Sequence, residues 1–315
     1  MLKALTAADD PQTEQDIAVI LRLDADILLL TNVDFDAEGA GLAALSQRLA
    51  AKGLTYADVL ALRPNTGIAT GLDLNHDGAL SGPRDAQAYG RFAGQGGMAI
   101  LSRYPIDRGQ IRDFTALLWR DLPDADLPPD MTPEAQAVQR LSTDGHYEVP
   151  VTYAPDKTLR LLVWAATPPV FDGPEDRNGR RNADETALWL HLLDGTLPQT
   201  PPAPPFVLLG RANLDPADGD GKPQALRSLL ALPDLQDPAP RGSSGHTDPG
   251  HKGDPAHDTA VLKSGAGLRL DYILPSRDIT VTGSGVLWLP DTDPFAATLA
   301  GASTHRPVWA RLNLP

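Results

Sequence analysis

Three stretches of this chain carry residue types at spacings that could do chemistry. The first is Asp73-Leu74-Asn75-His76-Asp77-Gly78, where acidic or amide oxygens alternate and a glycine allows a sharp turn, as at the start of a calcium loop. The closing glutamate of such a loop is replaced by Arg84. Asp73, Asn75 and Asp77 are therefore candidate calcium ligands in the 73–85 loop, with Asp85 the nearest substitute for the missing closing ligand. A tight Asx-rich turn is the competing reading. The second stretch, Phe171 to Glu185, is the densest run of arginine. Arg177, Arg180 and Arg181 lead into a helix N-terminus and are candidates for an anion-binding lip, because planar guanidinium forks grip phosphate and carboxylate. Asp172, Glu175 and Asp176 stand close enough in sequence to neutralise them instead. The third is His305, preceded by Thr304. An imidazole serves as general base or phosphoryl stabiliser when a partner fixes its tautomer, and threonine cannot do that as an acid would. A structural histidine bonded to Asp271 or to backbone is an equal reading. His146, His246, His251 and His257 sit in Asp-rich, loop-like sequence without metal-ligand spacing and are expected to be solvated surface.

The chain also carries an ordered series of strand-end motifs. An apolar run, Ile27-Leu28-Leu29-Leu30, leads to Thr31-Asn32-Val33. Gly97-Met98-Ala99-Ile100-Leu101-Ser102-Arg103-Tyr104-Pro105-Ile106 follows, then Phe206-Val207-Leu208-Leu209-Gly210-Arg211-Ala212-Asn213, then Arg269-Leu270-Asp271-Tyr272-Ile273-Leu274-Pro275, and finally Ser303-Thr304-His305-Arg306-Pro307-Val308. In this order, from about residue 10 to the C-terminus, the series resembles the endonuclease/exonuclease/phosphatase superfamily. That coverage is far more specific than any one motif.

The resemblance implies a DNase I-like α/β fold, a four-layer sandwich of two packed mixed β-sheets flanked by helices. It also implies a metal-dependent phosphoesterase site at one rim. Asn213, Asp271 and His305 stand at positions that match the family's site. Four others depart from it: Asn32 replaces the metal-holding glutamate, Ala165 a phosphate-contacting histidine, Arg211 the water-orienting aspartate, and Thr304 the aspartate beside the histidine. The family's first strand is expected upstream of residue 1. These losses bear directly on the chemistry. A hard divalent cation such as Mg²⁺ or Mn²⁺ prefers carboxylate oxygen, an amide is a weaker neutral ligand, and a fixed guanidinium repels the metal. Losses within one concerted site cost orders of magnitude in rate.

Composition narrows the partners. With 315 residues and 42% hydrophobic content the chain can bury a large core, and no linker-like shift divides it, so 1–315 reads as one domain with a long Gly- and Asp-rich insertion over about 63–97. A net charge of −14 argues against bulk nucleic acid, whose binding requires neutralising many phosphates. The absence of cysteine excludes disulfides and thiolate chemistry. No basic n-region with an apolar h-region opens the sequence, and no apolar run reaches the ~18 residues of a membrane span. A start lying further upstream would leave room for a secretory leader.

The elements that must position the candidate residues read as alternating helices and strands. Ile17, Val19, Ile20 and Leu23 lie at helical spacing over 13–23, and the apolar run over 26–33 reads as a strand buried on both faces. A helix is expected over 39–52 and another over 183–194. Strands are expected near 98–102, 159–165, 206–210, 269–274 and 305–312. The functional expectation is a family member that is catalytically inactive or strongly impaired and acts as a binding module for a small phosphorylated ligand or a protein partner. The alternative is an active metal-dependent phosphodiesterase or phosphatase that recruits Mg²⁺ or Mn²⁺ through other acids, Asp34, Asp36 or Asp215.

Overall fold

The structure is a computed structural model that describes Leu5 and residues 10–315. Helix α1 (Pro11–Leu23) begins where Asp10 accepts a hydrogen bond from the Thr13 backbone N–H at 2.8 Å, and proline occupies its first turn, where no N–H is needed. It buries Ile17 and Ile20. Strand β1 (Ile27–Val33) follows, then α2 (Ala40–Ala51), β2 (Asp58–Leu62) and β3 (Gly97–Ser102). These strands form one antiparallel sheet in the order β1-β3-β2.

The second sheet is built from β4 (Arg112–Asp113), β5 (Gly145–Ala154), β6 (Lys157–Ala165), β7 (Phe206–Arg211) and β10 (Asp271–Pro275), in the order β10-β7-β6-β5-β4. Pairing is parallel between β6 and β7 and antiparallel elsewhere. Helices α3 (Pro133–Val138), α4 (Arg177–Leu193) and α5 (Gln224–Leu230) lie between its strands in sequence. Short strands β8 (Ala260–Val261) and β9 (Gly267–Leu268) form a hairpin. After β10, β11 (Thr280–Val286) pairs with β12 (Val308–Asn313), and α6 (Ala296–Ala302) connects them.

Alternation along the strands explains the layers. In β1, Ile27 and Leu29 face the second sheet while Leu28 and Leu30 face α1 and α2; in β6, Leu161, Val163 and Ala165 face the first sheet while Leu162 and Trp164 meet α4 and α5. Each sheet is thus apolar on both faces, which is why its strands read as continuous apolar runs. The result is the expected four-layer arrangement: helices, sheet, sheet, helices.

Some expectations need correction. Strand β5 was missed, because Gly145, His146 and Pro150 interrupt it, although Tyr147, Val149 and Val151 alternate into the inter-sheet core. Helix α4 starts at Arg177 rather than near 183, since its first turns are charged and what they bury, Arg181, Asn182, Asp184 and Glu185, is polar. Strands β2, β4, β8, β9 and β11 and helices α3, α5 and α6 likewise have no counterpart among the expected elements. The first strand expected upstream of residue 1 lies outside the described residues. Among those residues β1 is paired along one edge, to β3, and β12 along one edge, to β11. The insertion after β2 is pinned rather than free. Asn65 donates to the carbonyls of Thr115 and Ser142 at 2.8 and 2.9 Å, and Gly67, at φ 70°, lets the Phe92 carbonyl come so close that a Cβ would sit 2.0 Å from it.

Candidate functional site

Sheet register brings one row of candidate residues together. Ala165 at the end of β6 pairs with Arg211 at the end of β7, and Arg211 pairs with Asp271 at the start of β10. Val163, Val207 and Ile273 on the same strands face the cleft between the sheets, and side chains two or four residues along a strand share a face. Ala165, Arg211 and Asp271 therefore face the space between the sheets at its edge, Ala165 fully buried and the other two partly exposed. Asn213 lies just past β7, in the left-handed region at φ 50°, and its side chain donates to the Ala166 carbonyl at 2.7 Å, fastening the two strand ends to each other.

His305 joins the row through Asp271. Its Nδ1 lies 2.8 Å from Asp271 Oδ2, so the carboxylate takes the part that Thr304 cannot. The Thr259 hydroxyl donates to the same oxygen at 2.8 Å and accepts from the backbone N–H groups of Leu270 and Asp271. The backbone on either side is tied down as well: Arg306 N–H donates to the Thr259 carbonyl, and Val261 N–H to that of Thr304. Thr304 itself is exposed. With an ionised carboxylate on Nδ1–H, the imidazole presents Nε2 away from the pair.

Arg211 leads inward from the row. Its Nη2 donates to Asp144 Oδ2 at 3.2 Å, and Asp144 is buried just before β5. Beneath lies a closed polar network. Arg181 on α4 donates to the carbonyls of Leu141, Arg140 and Ser142 at 2.7, 2.9 and 3.1 Å. Glu185, one turn on, accepts the backbone N–H groups of Thr143 and Thr167. His146 lies between the Ser142 hydroxyl at 2.7 Å and the Glu185 carbonyl at 2.8 Å, which fixes a neutral ring with the proton on Nε2. Burial dominates the ionisation of all four groups. It pushes Asp144 and Glu185 up to about 7 against the opposing pull of Arg211 and Arg181, His146 down to about 4, and Arg181 down to about 10.

The other candidates are placed elsewhere. Asn32 is exposed at the end of β1, on the other sheet, with a left-handed backbone at φ 60° that interrupts the pairing with β3. The three arginines of α4 do not form a lip: Arg181 is buried, Arg177 donates to the Leu74 carbonyl and to Gln139, and Arg180 pairs with Asp126. Internal pairing was the competing expectation; Arg180 Nε does donate to the Glu175 backbone carbonyl at 3.1 Å, but the carboxylate that pairs with it, Asp126, is distant in sequence. The calcium-like loop is an Asx turn in which Asp73 accepts from the N–H groups of Asp77 and Gly78 at 3.1 and 2.8 Å. Asp85, the substitute closing ligand, is buried and holds the N–H groups of Leu74 and Gly82 instead. Of the alternative acids, Asp36 caps α2 through Ala40 and Gly41, and both oxygens of Asp215 accept backbone N–H groups.

Two expectations about histidine are overturned. His146 is fully buried on β5, and His251 has a side chain only 4% exposed. The His251 Nδ1 lies 2.9 Å from the Gly253 carbonyl and its Nε2 2.9 Å from Asp258, so both ring nitrogens face acceptors and the bonded form is the imidazolium. Asp258 adjoins Thr259, so this pair steadies the loop that holds Asp271. No spacing of residues along the chain marks it.

The donor set of the row does not fit a divalent cation. It offers one carboxylate already engaged by His305 and Thr259, a neutral amide at Asn213, and a guanidinium at its centre. Among the described residues no group of three or more His, Asp or Glu side chains is arranged to hold a metal ion.

Residues 4–305 match the model of the Endonuclease/Exonuclease/phosphatase family. No curated protein matches the chain. Among solved structures, an endonuclease/exonuclease/phosphatase from Beutenbergia cavernae is 20% identical with a TM-score of 0.52, the match covering 98% of this chain and 67% of that one. A family protein from Leptotrichia buccalis is 16% identical with a TM-score of 0.52, covering 99% and 97%. ANGEL2, described as a 2',3'-cyclic phosphatase in complex with adenosine-2',3'-vanadate, is 13% identical with a TM-score of 0.51, covering 96% and 85%. The shared feature is the fold.

Proposed function

The chain belongs to the endonuclease/exonuclease/phosphatase family, and from that premise we propose that it is a catalytically inactive or strongly impaired member acting as a binding module. Its ligand is a small phosphorylated molecule or a protein partner. The observation that carries this reading is Arg211, which occupies the centre of the Ala165–Arg211–Asp271 row and pairs with Asp144. Phosphoester hydrolysis requires an aimed water and concentrated positive charge on the phosphoryl oxygens. Here the base that could aim a water, His305, stands without a second acid in the row, and Ala165 provides only a methyl group. Recruitment of Asp36 or Asp215 as metal ligands is not favoured, because each holds two or more backbone N–H groups. The vanadate complex described for ANGEL2, a protein of similar fold, supports a phosphate-class ligand. The net charge of −14 supports a small ligand over bulk nucleic acid.

The test is hydrolysis of p-nitrophenyl phosphate and bis(p-nitrophenyl) phosphate with Mg²⁺ or Mn²⁺. The expected rate matches that of buffer with metal. Turnover in the ordinary enzyme range of about 1–10³ s⁻¹, abolished by His305→Ala, would overturn the reading. Arg211→Asp is expected to raise Mg²⁺ or Mn²⁺ affinity, measured by calorimetry, because it replaces the guanidinium at the centre of the row by a hard anionic group beside Asp271.

A further inference from the structure

We propose that Arg211 makes this site a metal-independent receptor for a tetrahedral oxyanion of the phosphate class, the guanidinium supplying the positive charge that a divalent cation would otherwise bring. The inference rests on the non-hydrolysing reading above and states how the site binds.

The first support is that Arg211 is under-used. Arg181 donates to three carbonyls, and Arg269 forks onto both oxygens of Asp237 at 2.7 and 2.6 Å. Arg211, by contrast, makes a single contact through Nη2 at 3.2 Å; its Nε is buried with no acceptor, as Arg269 Nε also is, but Arg211 has no fork on a carboxylate to offset it. A buried N–H without a partner is costly, and an oxyanion with several lone pairs would relieve that cost. The guanidinium is held at one corner but not saturated, and 19% of its side chain remains exposed at the rim.

The neighbours leave the guanidinium uncontested and add a donor. Ala165, beside Arg211 on β6, carries no group that competes for the guanidinium, and Asp271, beside it on β10, is held by His305 and Thr259. His305 turns Nε2 away from Asp271, where it can donate to an anion when the ring is protonated. Asp144 is a weak competitor, since burial pushes its carboxyl up to about 7 and part of it is neutral at physiological pH. A planar fork binds phosphate oxygens in pairs, which a lysine at this place would not do.

The experiment titrates the full chain with inorganic phosphate, and separately with glycerol 2-phosphate, by isothermal titration calorimetry at pH 7 with excess EDTA. Saturable one-to-one binding without metal is expected for at least one of them, and the tighter of the two identifies the free ion or the monoester as the source. Arg211→Gln should weaken binding about tenfold or more, the loss of a charge-assisted contact. Asp144→Asn, which removes the competing anion at constant shape, should tighten it. Should Arg211→Gln fold poorly by circular dichroism, the Asp144→Asn arm stands alone, and weaker binding there overturns the proposal. Unchanged affinity in a folded Arg211→Gln also overturns it. No binding in EDTA, with no turnover in Mg²⁺ or Mn²⁺, sinks this inference and leaves the non-hydrolysing reading intact. Binding only with Mg²⁺ or Mn²⁺, accompanied by hydrolysis, overturns both.

Discussion

Asp144 separates two polar regions that obey different rules. On its inner side His146, Arg181 and Glu185 have partners at short distance, drawn from β5, α4 and the strand ends they join. On its outer side Arg211 touches one carboxylate at one corner, and His305 is held through Nδ1 alone. The inner set behaves as scaffold, because a buried polar group that is fully matched fixes one arrangement of the chain. The outer set is incompletely matched and faces the cleft. Polarity and burial are common to both sets; what differs between them is the number of partners each charged side chain holds.

The largest expected effect tests the inner region. Glu185→Leu removes the acceptor of two backbone N–H groups and the charge facing Arg181, and should lower unfolding free energy by about 3–5 kcal/mol in urea titration. Arg211→Gln should cost about 1 kcal/mol, because Asp144 can respond by protonating. Equal losses in the two variants would erase the distinction between the regions.

A smaller effect is expected from pH. Asp144 and Glu185 have folded values raised to about 7, above the ordinary carboxyl range, so the folded state binds extra protons between about 4 and 7. Their stabilisation is present at low pH and is lost as pH rises through 7. His146, lowered to about 4, acts oppositely: its contribution is present above its ordinary value and lost as pH falls toward 4. Two carboxyls outweigh one imidazole, so the melting temperature should rise from pH 8 to pH 5.5, and Glu185→Gln should flatten that rise. A parent melting point that increases toward pH 8 would contradict the assignment of these groups as buried.

The smallest effect concerns the 73–85 loop, a polar cluster that is neither buried nor in the cleft. With Asp85 turned into the core and Arg84 exposed, Asp73, Asn75 and Asp77 offer an open half-site. A dissociation constant near about 1 mM would give about 0.4 kcal/mol of stabilisation at 1 mM calcium by mass action. Thermal melts with calcium and with chelator, on the parent and on Asp73→Ala with Asp77→Ala, measure it. Identical responses in both would leave the loop as an acidic turn.

Much of the fold was legible because strands buried on both faces write themselves as apolar runs, as Ile27 to Leu30 and Leu161 to Trp164 do. The row of Ala165, Arg211 and Asp271 was legible too, since motif order fixed which strand ends would adjoin. Strand β5 was not, because Gly145, His146 and Pro150 mask an alternation that only Tyr147, Val149 and Val151 carry. The arginines of α4 looked like a surface patch because a charged side chain reads as solvated until its partners are known.

By itself the sequence determined the family and the order of the strands that carry the row, since each is a property of residue identity along the chain. Only the tertiary structure decided that Asp271 takes the place of Thr304 beside His305, that Arg211 meets Asp144, and that Arg181 and His251 are interior. Those pairings join residues 34 and 67 positions apart for His305 and Arg211. Whether a charge is matched depends on which distant acceptor the packed sheets bring to it and how much water they exclude, and no local pattern encodes either quantity.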